Sequence, residues 1–255
     1  MTKSKSFAFS AAGLKFLFNS DKYITLEDEI EIFRIPTDMG DWDVSVNIRH
    51  DGEVPIGQVL TEARENNVLI RYHAGSAPLL ENVRSCLLHM PMEEIFLEHD
   101  RFILHSSFVT SKFGGLLFTG NSGIGKSTQS SLWEKYRGST IVNGDRTVIS
   151  KEGSKMYAYG SFYTGSSHYC MQRKEPVGAV IFLEQSEDNI VTEAGEGEGF
   201  RHLLLQISSD CKNEKDENRL CDLIAYLEHT VPLLKLSCTP DERAVTALEK
   251  WLGKP

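Results

Sequence analysis

The 255-residue chain has no apolar run approaching the roughly 18 residues that a membrane-spanning helix needs, and Met1 to Ser10 contain no signal-peptide apolar core. The expectation is a cytoplasmic protein. The chain is also short of positive charge. Its 27 Lys and Arg face 36 Asp and Glu, a net charge of −9, so as a whole it repels polyanions, and neither nucleic acid nor anionic membrane is expected as a partner. Cysteine is sparse. Cys86, Cys170, Cys211, Cys221 and Cys238 are odd in number, widely spaced and never arranged as Cys-x-x-Cys, which excludes a disulfide framework or a zinc knuckle and predicts reduced thiols. Internal repeats and low-complexity tracts are absent. What remains is 40% hydrophobic and 25% charged, an ordinary folding composition, at a length fitting one large domain or two small ones.

The first hundred residues carry apolar side chains at period two: Phe7/Phe9, Leu14/Phe16/Phe18, Ile30/Ile32 and Val44/Val46/Ile48. An antiparallel meander is predicted, with turns at Asn19–Asp21, Met39–Asp41 and Asp51–Gly52 and a loop-helix element over Pro55–Asn67. From Arg101 the pattern changes. Strands are predicted over 101–105, 114–119, 140–143, 147–150, 155–159 and 177–183, a helix over 127–136, then helices over 199–208, 216–229 and 241–252 with a strand over 233–237. Thr239, Pro240 and Glu242 read as the N-cap, first turn and capping box of the last helix.

Function begins at Gly120-Asn121-Ser122-Gly123-Ile124-Gly125-Lys126-Ser127-Thr128, which fits G-x-x-x-x-G-K-[ST] between an apolar strand and a helix, the setting that consensus requires. Its glycines let backbone N–H groups point inward, and the helix adds its positive end. The loop therefore suits a polyphosphate, with Lys126 reaching the phosphates and the Ser127 hydroxyl placed for Mg²⁺. Three further groups are candidates. Asp145 follows the next strand, where ligands bind in a parallel sheet, although Asn143-Gly144-Asp145 reads equally as a turn. Glu184 closes the apolar strand 177–183 as a rival metal ligand or base, or simply as an acidic strand cap. His105 ends the strand before the loop strand, where an imidazole would stabilise a transferring phosphoryl group or be structural only. Residues 160–168, small and hydroxyl-rich, read as an acceptor-binding segment or an ordinary connection.

Taken in order, Leu104-His105, the strand from Gly114, the loop 120–127 and Ile141-Val-Asn-Gly-Asp145-Arg146 resemble the HPr kinase/phosphorylase catalytic domain, whose P-loop fold is shared with phosphoenolpyruvate carboxykinases. The resemblance covers residues 101–150, and more weakly 160–168 and the strand ending at Glu184. It implies phosphate and magnesium roles for Lys126 and Ser127, a general-base role for Asp145 and a phosphate-neighbouring role for His105. Two departures stand out. Gly144 occupies the place of the family's first aspartate, leaving Asp145, alone or with Glu184, to serve metal and acceptor. The Arg-rich C-terminal signature is missing, so HPr is not the implied acceptor. The chain looks more like diverged relatives associated with peptide modification.

The expected architecture is α/β: a P-loop HPr kinase/carboxykinase-like sheet with flanking helices over 96–255 and a strand-rich part over 1–95, or both fused into one domain. The expected activity is ATP- and Mg²⁺-dependent phosphorylation of a hydroxyl, such as serine, on a peptide or small molecule. Rival readings are a nucleotide-dependent regulatory protein without transfer, and a carboxykinase-type enzyme. GTP or pyrophosphate as donor, and a homo-oligomeric state, are left open.

Overall fold

The computed structural model describes residues 2–163, 169–195 and 197–254, which form two compact units, Met1–Ile95 and Phe96–Pro255. In the first unit β1 (Thr2–Ala11) and β2 (Leu14–Leu26) form a hairpin around Ala12 and Gly13, both at positive φ. The strands β3 (Arg34–Ile35), β4 (Val44–His50), β5 (Val59–Arg64) and β6 (Asn67–Tyr72) complete a six-stranded sheet in the order β3-β1-β2-β4-β6-β5. Alternation buries Phe7, Phe9, Phe16, Phe18, Val46 and Ile48 on its inner face, with Phe9 stacked on Phe16 at 4.9 Å. The short helix α1 (Val83–Leu88) follows, and α2 (Met92–Glu98) spans the boundary between the units.

Several expectations for this unit are corrected. The sheet is mixed: β2 and β4, and β4 and β6, pair in parallel, so it is no antiparallel meander. Ile30 and Ile32 lie in a 3-10 turn, Asp28–Phe33, because Ile30 and Phe33, three apart, share the buried side while Ile32 is exposed. Asn19–Asp21 is no turn but part of β2, where Tyr72 donates a hydrogen bond to Asp21 and Ser6 one to Asn19. Within 55–67 the helix is replaced by β5, an edge strand with neither face buried and hence no apolar alternation to betray it.

The second unit is a mixed α/β layer structure, a large sheet with flanking helices. Its elements are β7 (Arg101–Ser111), β8 (Gly114–Thr119), α3 (Lys126–Arg137), β9 (Ile141–Asn143), β10 (Arg146–Glu152), β11 (Lys155–Tyr159), β12 (Lys174–Gln185), β13 (Ile190–Glu193), α4 (Glu198–Leu204), β14 (Ile207–Ser208), α5 (Glu214–Thr230), β15 (Leu233–Cys238) and α6 (Glu242–Leu252). The sheet runs β11-β10-β7-β8-β12-β15-β13, with β9 and β14 also paired to β7. The strands β8, β12 and β15 are parallel and the rest antiparallel. Leu117, Val180 and Phe182 pack on one face with Leu203, Leu223 and Ile224 from α4 and α5; Phe118, Ile181 and Leu236 pack on the other with Trp133 and Val245 from α3 and α6. None of the five cysteines is in a disulfide.

Three details here differ from expectation. The segment 199–208 is not one helix, because α4 stops at Leu204 and β14 pairs with β7. The N-cap of α6 is Asp241, whose carboxylate accepts from the Arg243 N–H at 2.9 Å, while Thr239 is engaged with Asn189. His105 does not end a strand. It lies in the middle of β7, where one edge of the strand passes from β14 to β8.

Candidate active site

Between β8 and α3 the chain turns through Gly120, Gly123 and Gly125, at φ of 134°, 78° and 117°, a backbone that side-chain-bearing residues rarely adopt. Gly125 is the N-cap of α3 and supplies no side-chain cap, in contrast to Asn82, Asn213 and Asp241 at α1, α5 and α6. The N-cap thus offers the first-turn amides of a twelve-residue helix no side-chain acceptor, and the end of such a helix attracts anions. The start of α3 is held from β7: buried Ser107 donates to the Lys126 carbonyl at 3.0 Å and accepts from Ser130 at 2.8 Å. Lys126 is only 8% exposed, and its ammonium donates to the carbonyls of Gly120 and Asn121 at 2.8 and 3.2 Å. Burial pushes its pKa down, opposed by the charge of Asp145.

The second half of the site comes from the antiparallel side of the sheet. The strands β7 and β10 pair so that His105 faces Arg146, with Asp145 just before β10. The His105 backbone is fixed at both ends, its N–H donating to Gln206 and its carbonyl accepting from Thr119, both at 2.8 Å. Its Nε2 lies 3.3 Å from Asp145 Oδ1, each side chain about one-third exposed at 34%. Burial, then the neighbouring Lys126 charge, pushes the His105 pKa below its ordinary value, with Asp145 pulling the other way. The shift favours the uncharged imidazole, which sits beside the carboxylate at that distance.

The two halves meet. A cavity of about 280 Å³ is lined by His105, Gly144 and Asp145 on one side and by Ser122, Gly123, Gly125, Lys126, Ser127 and Thr128 on the other. A second cavity of about 320 Å³ shares Gly123, Gly125 and Thr128 with it and is walled by Ile124, Leu183, Cys238 and Pro240, with Gln185 and Thr239 adding polar groups. Glu184 lines neither cavity; it is exposed, and its carboxylate accepts from Ser237 at 2.9 Å. Among the described residues no group of three or more His, Cys, Asp or Glu side chains converges as a metal cage. The oxygen donors of Ser127 and Asp145 in one cavity suit Mg²⁺, which takes few protein ligands and completes its shell with phosphate oxygens and water. Of the segment 160–168, residues 164–168 lie outside the described residues.

Sequence reasoning missed Asn143, which it treated as half of an Asn-Gly turn. The side chain is fully buried, and its Oδ1 accepts from the N–H groups of Asp145 and Arg146 at 3.1 and 2.9 Å. The turn is not a hairpin, since β9 and β10 both pair with β7 rather than with each other. The available signal was an Asx residue at the end of an apolar strand, able to bond backbone two residues on. Arg146 and Tyr163 were missed as well; the guanidinium lies over the Tyr163 ring, 5.4 Å from its centre, and 3.8 Å from Asp145 Oδ2.

No family model and no curated protein matches the chain. Among solved structures it is similar to the HPr(Ser) kinase/phosphatase from Coxiella burnetii, at 15% identity and a TM-score of 0.34, over 58% of this chain and 95% of that one. This is a distant structural relationship.

Proposed function

We propose that the second unit is a kinase, transferring the γ-phosphoryl group of Mg-ATP to a hydroxyl of a peptide or small molecule. The observation that carries this reading is the single cavity in which Lys126, at the uncapped start of α3, faces the Asp145–His105 pair. The loop amides and the Lys126 ammonium bind the phosphates, the ammonium exchanging its bonds to the Gly120 and Asn121 carbonyls for phosphate oxygens. The adjoining cavity, with its apolar wall, suits a nucleoside better than a bare pyrophosphate. Ser127 and Asp145 would hold Mg²⁺, which when bound neutralises charge on the phosphates.

In the transfer the acceptor oxygen forms a bond to the γ-phosphorus as the bond to the β-bridging oxygen breaks, and ADP leaves with that electron pair. The acceptor proton passes to the Asp145 carboxylate. His105, its Nε2 3.3 Å from the same carboxylate, flanks it and limits its orientation, while Lys126 offsets the charge of the γ-phosphoryl oxygens.

A second reading, a nucleotide-dependent regulatory protein without transfer, is favoured by one observation: Asp145 is the only carboxylate among the described residues lining the cavity. Phosphorus NMR of the full chain with Mg-ATP and a pool of sugars, polyols, serine and Ser/Thr peptides separates the two. The kinase reading expects a new phosphoester resonance that Lys126→Ala abolishes. Binding of ATP with no phosphorylated product selects the regulatory reading.

A further inference from the structure

We infer that Asn143 is the positioning residue for Asp145, clamping the acid-bearing turn to the segment Ser161–Tyr163 through a single buried amide. The inference rests on the kinase reading for the role of Asp145, but its geometry stands alone. Both ends of the amide are used. Its Oδ1 takes the two N–H groups of Asp145 and Arg146, and its Nδ2 donates to the Ser161 carbonyl at 3.0 Å, the Ser161 hydroxyl at 3.3 Å and the Tyr163 carbonyl at 3.1 Å. The opposite amide orientation would set N–H against N–H and carbonyl against carbonyl, so the assignment is unique.

Ser161, 1% exposed, completes the clamp. Its hydroxyl donates to the Arg146 carbonyl at 2.5 Å and accepts from the Tyr163 N–H at 3.2 Å. The backbone of Asn143 cannot drift, since it pairs with Phe108 of β7 on one side and bridges Cys170 on the other, next to a Met171 N–H to Val142 carbonyl bond of 3.0 Å. A buried amide costs stability unless every polar atom is matched, and here every one is. Neither an apolar side chain nor a carboxylate fits: the first takes this partner from two N–H groups and two carbonyls, and the second sets an oxygen against two carbonyls. The position of Asp145 relative to His105 is thus set by a residue that touches neither the cavity nor a reacting atom.

The test uses the full chain with Asn143→Ala and the nearly isosteric Ser161→Ala. Amide hydrogen exchange by NMR should show Asp145 and Arg146 exchanging at least tenfold faster in Asn143→Ala, and at least threefold faster at Arg146 in Ser161→Ala. With Mg-ATP as probe and water as acceptor, Asn143→Ala should lower kcat for phosphate release at least tenfold while KM stays within threefold. In an Asp145→Asn background the same change should alter kcat by less than twofold, because a residue acting through Asp145 has nothing left to position. Unchanged exchange at both amides, or effects of Asn143 and Asp145 that multiply, would overturn the inference. If Asn143→Ala does not fold, Ser161→Ala decides by its exchange and by the same cycle. A wild type that neither binds nor turns over Mg-ATP sinks the kinase reading, and the exchange measurement still decides the role of Asn143.

Discussion

The two units bury different chemistry. Among the described residues the first unit buries two polar side chains, Ser20 and Ser76, in a core of stacked phenylalanines, whereas the second buries eleven, among them Ser107, Lys126, Ser130, Asn143 and Ser161. Buried polar groups are costly unless hydrogen-bonded, so a sheet that needed only to fold would not accumulate them. In the second unit several of them lie where β7, α3 and the β9–β10 turn approach one another, and Ser107, Asn143 and Ser161 each bond to backbone outside their own segment. Stability in the first unit comes from apolar packing. In the second, part of the packing has been given over to fixing backbone around a cavity.

The largest expected effects separate the units most sharply. Replacing Lys126 by Ala should weaken Mg-ATP binding about tenfold to a hundredfold, the worth of hydrogen bonds to a charged group, with little change in thermal stability. Isothermal titration calorimetry beside a thermal melt reads both. The converse variant, Phe18→Ala, removes a fully buried ring stacked on Phe7 at 4.7 Å and should cost the first unit about 3–5 kcal/mol. Denaturant unfolding measures that loss, and Mg-ATP affinity should stay within twofold; a parallel fall in affinity would break the comparison.

The smallest expected effect is the pH dependence that His105 adds to the second unit. His105 has a folded-state pKa below its ordinary 6.5, chiefly from burial, so in the window beneath 6.5 the unfolded chain binds more protons than the folded one. Its contribution to stability is therefore full above pH 6.5 and declines as pH falls through the folded value. Denaturant midpoints measured from pH 7.5 down to 5 should fall less for His105→Gln than for the wild type. An equal fall would place the titration elsewhere.

The legible parts were those written in local pattern. Glycines at 120, 123 and 125 before Lys126 announced a loop, and the structure gives them the positive φ values such a loop needs. The central strand over 177–183, apolar throughout because both faces are covered, was equally plain and extends to Lys174–Gln185. What stayed hidden depends on partners far along the chain. The edge strand β5 has no fully buried face, and its sequence shows no apolar alternation. The position of His105 within β7 is set by a change of neighbouring strand that only the fold supplies. Asn143 bonds to residues 18 and 20 positions away, and its local sequence advertises only a turn. Glu184, by contrast, sat at a convincing strand end, yet its carboxylate is turned to Ser237 on the neighbouring strand.

The most direct test is the rate of phosphoester formation by Asp145→Asn at saturating Mg-ATP, with an acceptor found in the phosphorus NMR screen. This account predicts a fall of about 10²–10⁴-fold, the usual worth of a general base, with Mg-ATP still bound. Transfer at the wild-type rate would contradict it.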